Sequence, residues 1–180
     1  MSLSSSTHGN VELTDTNAQK FLTFCLGEEH YGIPILRVRE IIGLIPITTL
    51  PQTPSYVRGV MNLRGRIIPV IDLRSRFGLP EIEPTKETCI IIVDANDGAG
   101  EQSLTGVIVD TVREVQDIPA SAMSPKPEFG CTVPLDYIEG MGRVRDRVIL
   151  LLNVVDVLDK RCVAGLTEHI EDTGAMRAAA

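Results

Sequence analysis

In this 180-residue chain, histidine, cysteine, carboxylate and arginine are the side chains that could do chemistry, and their spacing decides which of them would. His8, His30 and His169 lie far apart, and no HExxH spacing sets two imidazoles on one helix face. Cys25, Cys89, Cys131 and Cys162 form no CxxC pair, so neither a zinc site nor a dithiol redox motif is written here. There is no GxSxG elbow, and no cysteine stands in a nucleophile motif with a histidine. The run Asp94-Ala-Asn-Asp-Gly-Ala-Gly100 has the acidic look of a Ca²⁺ loop, but Thr105 occupies the place of the closing glutamate. It reads as a flexible hairpin loop. Gly140-Met-Gly142 lacks the third glycine of a dinucleotide fingerprint. Asp72, Asp110 and Asp156 each follow apolar residues, the setting of helix caps and strand ends rather than of paired acid–base groups. These residues predict no catalytic centre, no metal and no cofactor.

Arginine is different. Arg143, Arg145 and Arg147 alternate, as do Arg64 and Arg66, so on a strand each set shares one face. Such arginines can guard hairpin ends against edge pairing, contact a protein, or track a single-stranded nucleic acid. The last use needs stacking rings, and the chain has 4 Phe, 3 Tyr and no Trp, none interleaved with these arginines. A net charge of −7 and a pI near 5.0 also oppose attraction to nucleic acid or an anionic membrane. A small-barrel binder of single-stranded nucleic acid is kept only as the alternative to a protein-binding role. Within the turn Asn62-Leu63-Arg64-Gly65, Asn and Gly suit left-handed backbone, whereas nothing about a turn calls for Arg64.

Elements must position these residues. Residues 1–18 are rich in Ser, Thr and Asn and predict a disordered N-terminal tail without the basic start and apolar core of a signal peptide. Residues 161–180 predict a C-terminal helix or tail. No apolar run is long enough to span a bilayer. A cytoplasmic chain with reduced thiols, and no direct membrane insertion, is the expectation.

Between the tails the pattern is short apolar bursts of period two. Phe21–Leu26 and Tyr31–Ile35 predict a hairpin turning at Gly27–His30; Val38–Leu44 continues apolar, and Pro46, Pro51 and Pro54 mark a loop. Tyr56–Met61 leads into the Arg64 turn and Arg66–Ile71 returns from it. Asp72 then caps a short helix, Leu73–Phe77, closed by Gly78 and Pro80. The second half repeats the first. Gly32-Ile-Pro-Ile-Leu-Arg-Val-Arg-Glu-Ile41 aligns with Gly106-Val-Ile-Val-Asp-Thr-Val-Arg-Glu-Val115. Tyr56-Val-Arg-Gly59 aligns with Tyr137-Ile-Glu-Gly140, and Arg64-Gly-Arg-Ile-Ile68 with Arg145-Asp-Arg-Val-Ile149. The strand Cys89–Val93, the loop Asp94–Ser103 and the strand Leu104–Val109 repeat the opening hairpin. An internal duplication follows, with about five short strands per copy. Sheets this small close into barrels to remove their edges, and two barrels share a more credible core than either has alone. The expected fold is all-β: two small five-stranded SH3/OB-like barrels packed around a shared hydrophobic core, with short helices. Barrel one falls at about residues 19–86 and barrel two at about 87–160, with exchange of strands between them left open. Apolar residues such as Val38, Ile41, Val107 and Val109 exceed what two such barrels obviously need; core filling accounts for most of them, and a groove where the barrels meet, for a peptide or helix tip, would use the others.

Three stretches carry a resemblance: Tyr31–Ile41, Val57–Leu73 and Gly106–Asp110. The pattern G-V-x-N-L-R-G-x-I-x-P-V-x-D-L within the second is highly specific. Over about residues 19–160 the chain resembles the CheW-like family of bacterial chemotaxis coupling proteins, in the stand-alone form without a receiver or kinase domain. The resemblance implies two five-stranded barrels, no catalysis, and a bridge between the cytoplasmic tips of chemoreceptors and the regulatory domain of the CheA histidine kinase. It also implies association with other CheW-like domains in rings at membrane-associated receptor arrays. Carried over by motif, Val38, Glu40 and Arg64 are expected at or beside partner contacts, and Ile33, Ile35, Val107 and Val109 at an apolar receptor groove.

Overall fold

The computed structural model describes residues 17–96, 103–128, 133–158 and 165–166. The opening hairpin is β1 (Gln19–Leu26) and β2 (Glu29–Pro34), and a single 3-10 turn at Ile35–Arg37 leads into β3 (Val38–Gly43). A second hairpin, β4 (Val57–Leu63) and β5 (Arg66–Asp72), runs directly into helix α1 (Leu73–Arg76). The second half follows as β6 (Cys89–Asp94), β7 (Leu104–Val109), β8 (Thr111–Ile118) and the two-residue β9 (Met123–Ser124). β10 (Ile138–Val144), β11 (Arg147–Leu152) and helix α2 (Val154–Leu158) complete it.

Two sheets form, ordered β3-β6-β7-β5-β4 and β8-β1-β2-β11-β10-β9. Aligning the repeats shows one design used twice: β8 stands for β3, β1 for β6, β2 for β7, β11 for β5 and β10 for β4. The sheets do not follow the halves of the sequence. The first hairpin, β1–β2, belongs to the sheet of the later strands, and the hairpin β6–β7 belongs to the sheet of the earlier ones. Each graft is made by a parallel pairing, β5 with β7 and β2 with β11, in which Gly106 faces Val70 and Gly32 faces Leu151. Both places are tight for a side chain. A Cβ at Gly106 would lie 2.9 Å from Ile90 Cγ2, and one at Gly32 3.1 Å from Leu151 Cδ2.

Burial explains the apolar runs within the exchanged hairpins. Along β6, Ile90 and Ile92 fill barrel one with Met61, Ile68 and Val70, while Ile91 and Val93 point the other way into a core shared by both barrels. β1 does the same: Phe21 enters barrel two with Ile118, Ile149 and Leu151, while Leu22, Phe24 and Leu26 join the shared core. Strands covered on both faces lose the apolar–polar alternation and read as continuous apolar runs.

Local chemistry sets the ends. Asp72 is the N-cap of α1, its carboxylate accepting from the amides of Arg74 and Ser75. Asn153 does the same for α2 through Val155 N at 3.1 Å. A bulge interrupts β4 at Arg58, just before Gly59, and β10 at Glu139, just before Gly140, the same position of each repeat. Gly59 has φ of 136°, and a Cβ there would sit 1.9 Å from the Thr48 carbonyl oxygen.

Candidate functional site

The turn that carries Arg64 is a two-residue β4–β5 connection with Arg64 at φ 52° and Gly65 at φ 82°. Both positive values define the mirror-image turn that matches strand twist. Asn62 Oδ1 accepts from Gly65 N at 2.9 Å and holds the loop in shape. Arg64 is thereby aimed across the barrel at Glu40 on β3. Its Nη1 donates to Glu40 Oε2 at 2.9 Å, and its Nη2 donates to Oε1, a two-pronged contact. β3 and β4 are the two ends of the five-stranded sheet, so this pair spans the seam of barrel one, where Thr48 also bridges Val60. The arginine stays 74% exposed and the carboxylate 29%.

The same stretch of chain exposes apolar side chains. Leu36, in the 3-10 turn before β3, is 86% exposed, and Ile41 beside Glu40 is 44% exposed. Val38 and Ile35 are half-buried, their inner sides packed on the shared core. Residues 35–41 thus combine a fixed charge pair with uncovered aliphatic side chains. Ile33, Val107 and Val109 are placed differently: all three lie inside the shared core at 3%, 2% and 1% exposure. Core filling takes Val107 and Val109 as well as Ile33, so none of the three opens directly on a surface groove. The structure therefore brings Ile35, Val38, Glu40 and Arg64 to the surface together and leaves the other three beneath it.

A cleft of about 430 Å³ lies farther along barrel one, with Ile45, Ile47 and Ile108 in its wall beside Arg58, Arg74 and Asp110. Arg74 Nε and Nη2 donate to the two oxygens of Asp110 at 2.8 Å each, and Nη1 donates to the Pro80 carbonyl at 2.7 Å. Gly27 N adds a bond to Asp110 Oδ2 at 2.7 Å, tying the exchanged hairpin to α1. Burial raises the Asp110 carboxyl, but the Arg74 and Gly27 hydrogen bonds outweigh it and hold the group below the usual carboxylate range. Asp94 behaves likewise: burial opposes ionisation, and Arg39 with neighbouring amides more than compensates. Both aspartates are committed to arginines, which is the wrong state for a general acid or base.

Several contacts carry no signature in the sequence. Arg76 of α1 lies over the Tyr56 ring at 4.2 Å and the Tyr137 ring at 4.8 Å, and its Nε donates to the Val157 carbonyl on α2 at 2.9 Å. It clamps equivalent tyrosines of the two repeats. Cys25 Sγ lies 3.3 Å from His30 Nδ1, because the β1–β2 register sets the two residues opposite each other. His30 is therefore a partly buried strand residue rather than a solvated turn. His8, His169, Cys131 and Cys162 lie outside the described residues, as does the middle of the Asp94–Ser103 loop. Among the described residues no three His, Cys, Asp or Glu side chains converge as metal ligands. The nucleic-acid alternative finds no support: among the described residues Phe24, Tyr31 and Phe77 stack in the core, with the half-buried Tyr137 against them.

Comparison with known proteins agrees with this architecture. The family model of the CheW-like domain matches residues 20–162. The chain is 36% identical to the chemotaxis protein CheW of Klebsiella aerogenes over 150 residues, 83% of this chain and 87% of the relative. It is 35% identical to CheW of Helicobacter pylori over 84% of this chain and 88% of the other. Among solved structures, the scaffolding protein TtCheW from Thermoanaerobacter tengcongensis superposes with a TM-score of 0.71 at 36% identity, covering 79% of this chain and 93% of that one. With the two-barrel fold, the Asn62–Gly65 turn and a matched domain spanning both repeats, the chain belongs to the CheW-like family.

Proposed function

We propose that this chain is a non-catalytic adaptor that couples chemoreceptors to the histidine kinase CheA in a cytoplasmic chemosensory array at the membrane. The observation that carries the reading is the fixed Glu40–Arg64 pair at the seam of barrel one, on a stretch of chain that also leaves Leu36 and Ile41 exposed. A preorganised charge pair gives register to a contact, and uncovered aliphatic surface supplies its affinity. Val38, Glu40 and Arg64 contact the regulatory domain of CheA, and Ile35 lines the rim of the receptor groove. Ile33, Val107 and Val109 shape that groove from below by fixing the spacing of β2 and β7 within the core. Other CheW-like domains meet the same barrel ends in rings, where many weak contacts add up to a stable lattice.

The test is co-sedimentation of the purified chain with CheA and receptor-bearing membranes from its own organism. Recovery in the pellet with stimulated kinase activity is the expected result. A chain that stays in the supernatant with every cognate CheA would leave a barrel pair serving another partner.

A further inference from the structure

The two barrels repeat one another residue by residue, and at one end the repeat breaks down in its charges. In barrel one, the bulge residue of β3 is Arg39, and it pairs with buried Asp94 of β6 at 2.8 Å. Arg64 pairs with Glu40. Register places the equivalents in barrel two: Arg113 for Arg39, Arg145 for Arg64, Glu114 for Glu40, and Cys25 for Asp94. The strand alignment leaves no slack, because Gly32 and Gly106 occupy the same place in their parallel pairings and Leu22 and Ile91 the same place in the shared core. The backbone agrees too, since Arg145 has φ 55° where Arg64 has 52° and both β3 and β8 are bulged at the arginine.

One counter-charge, that of Arg113, is missing. Where barrel one has a buried carboxylate, barrel two has the Cys25 thiol, and contact with it raises the Arg113 guanidinium above its ordinary value. No ion pair of Arg113, Arg145 or Arg147 forms among the described residues, although Glu114 and Asp146 stand nearby. These five side chains and His30 line a cleft of about 240 Å³. Burial, then Arg147 and Arg113, hold the His30 imidazole below its ordinary value, so near neutral pH it is an uncharged hydrogen-bonding group in the same wall. Arg113 lacks the internal carboxylate that the sister barrel supplies, and three guanidinium groups on one cleft are suited to an oxygen anion from outside.

We propose that this mouth of barrel two is a binding site for a small phosphate-type oxyanion, held by Arg113 and Arg147 with His30 and filling the charge vacancy left by cysteine at the Asp94-equivalent position. The site goes beyond the adaptor role and does not depend on it.

The test uses the intact chain and inorganic phosphate at fixed ionic strength, with sodium chloride as the matched control. The readout is NMR of the His30 ring and of the backbone amides of 113–116 and 145–149. Saturable shifts with phosphate alone, together with a rise in the His30 pKa, are expected. Cys25→Asp restores the barrel-one arrangement and should weaken phosphate binding at least tenfold, while Cys25→Ser should leave it unchanged. If Cys25→Asp does not fold, Arg113→Gln, an exposed change, reads the same interaction and should also weaken binding at least tenfold. Three results would overturn the proposal: no saturation, an equal response to chloride, or undiminished binding in Arg113→Gln.

Discussion

Removing the Glu40–Arg64 pair should injure coupling far more than folding, and the structure sets the size of each effect. Arg64 is 74% exposed, so the Coulomb gain is screened and the pair contributes about 0.2–1 kcal/mol, as exposed pairs do. Arg64→Ala keeps the left-handed backbone strain that Arg64 already carries at φ 52°, so no further backbone cost arises. For a domain of this size about 1 kcal/mol corresponds to roughly 2–4 °C in Tm, so Arg64→Ala should lower Tm by about 4 °C at most. Arg64→Gly loses the same pair but relieves a strain of about 1 kcal/mol, and its Tm should lie at or above that of Arg64→Ala. The assay combines calorimetry of Arg64→Ala, Glu40→Ala and the double variant with co-sedimentation and kinase stimulation for each. The thermodynamic cycle should return a coupling below about 1 kcal/mol that vanishes in 1 M salt. Co-sedimentation should fall sharply in all three. A Tm loss above about 8 °C with coupling intact would make the pair a structural brace of the barrel seam and refute the reasoning.

Other expectations follow from buried geometry. Gly59→Ala should cost about 3 kcal/mol or more and reduce folded yield, because its Cβ would sit 1.9 Å from the Thr48 carbonyl; urea titration reads the loss. Arg76→Ala removes two cation–π contacts and the bond to Val157, and should cost about 1–3 kcal/mol while raising amide exchange in both α1 and α2. Asp110 has a folded pKa below its unfolded value of about 3.9, so its contribution is fully present above that pH and is lost as pH falls through the folded pKa. Asp110→Asn should therefore be less stable at neutral pH and show a flatter acid limb in a pH series of urea melts.

What the residues determined by themselves was local and periodic. The hairpins, the Asp72 cap, the proline loop and the Asn62–Gly65 turn are written in side chains a few positions apart, and the duplication is visible as repeated strings. Gln19–Leu26, Leu73–Arg76 and Leu104–Val109 lie where the patterns put them, within a residue or two at each end. Arg64 stood out because a turn has no use for it. Tertiary structure decided the rest. Period two says that residues of a strand divide between two faces, but in β7 apolar residues fall on both, and nothing local says how far each face is covered. The resemblance implied a groove at Ile33, Val107 and Val109, and burial puts all three in the core. The exchange of hairpins leaves no local mark, since β1 presents the same side chains to either sheet. The clamp of Arg76 between Tyr56 and Tyr137, and the vacancy at Cys25, exist only where residues far apart in the chain are set side by side. Those contacts are set by pairing register and by the apolar area two barrels gain from one shared core, both of which are properties of the whole fold.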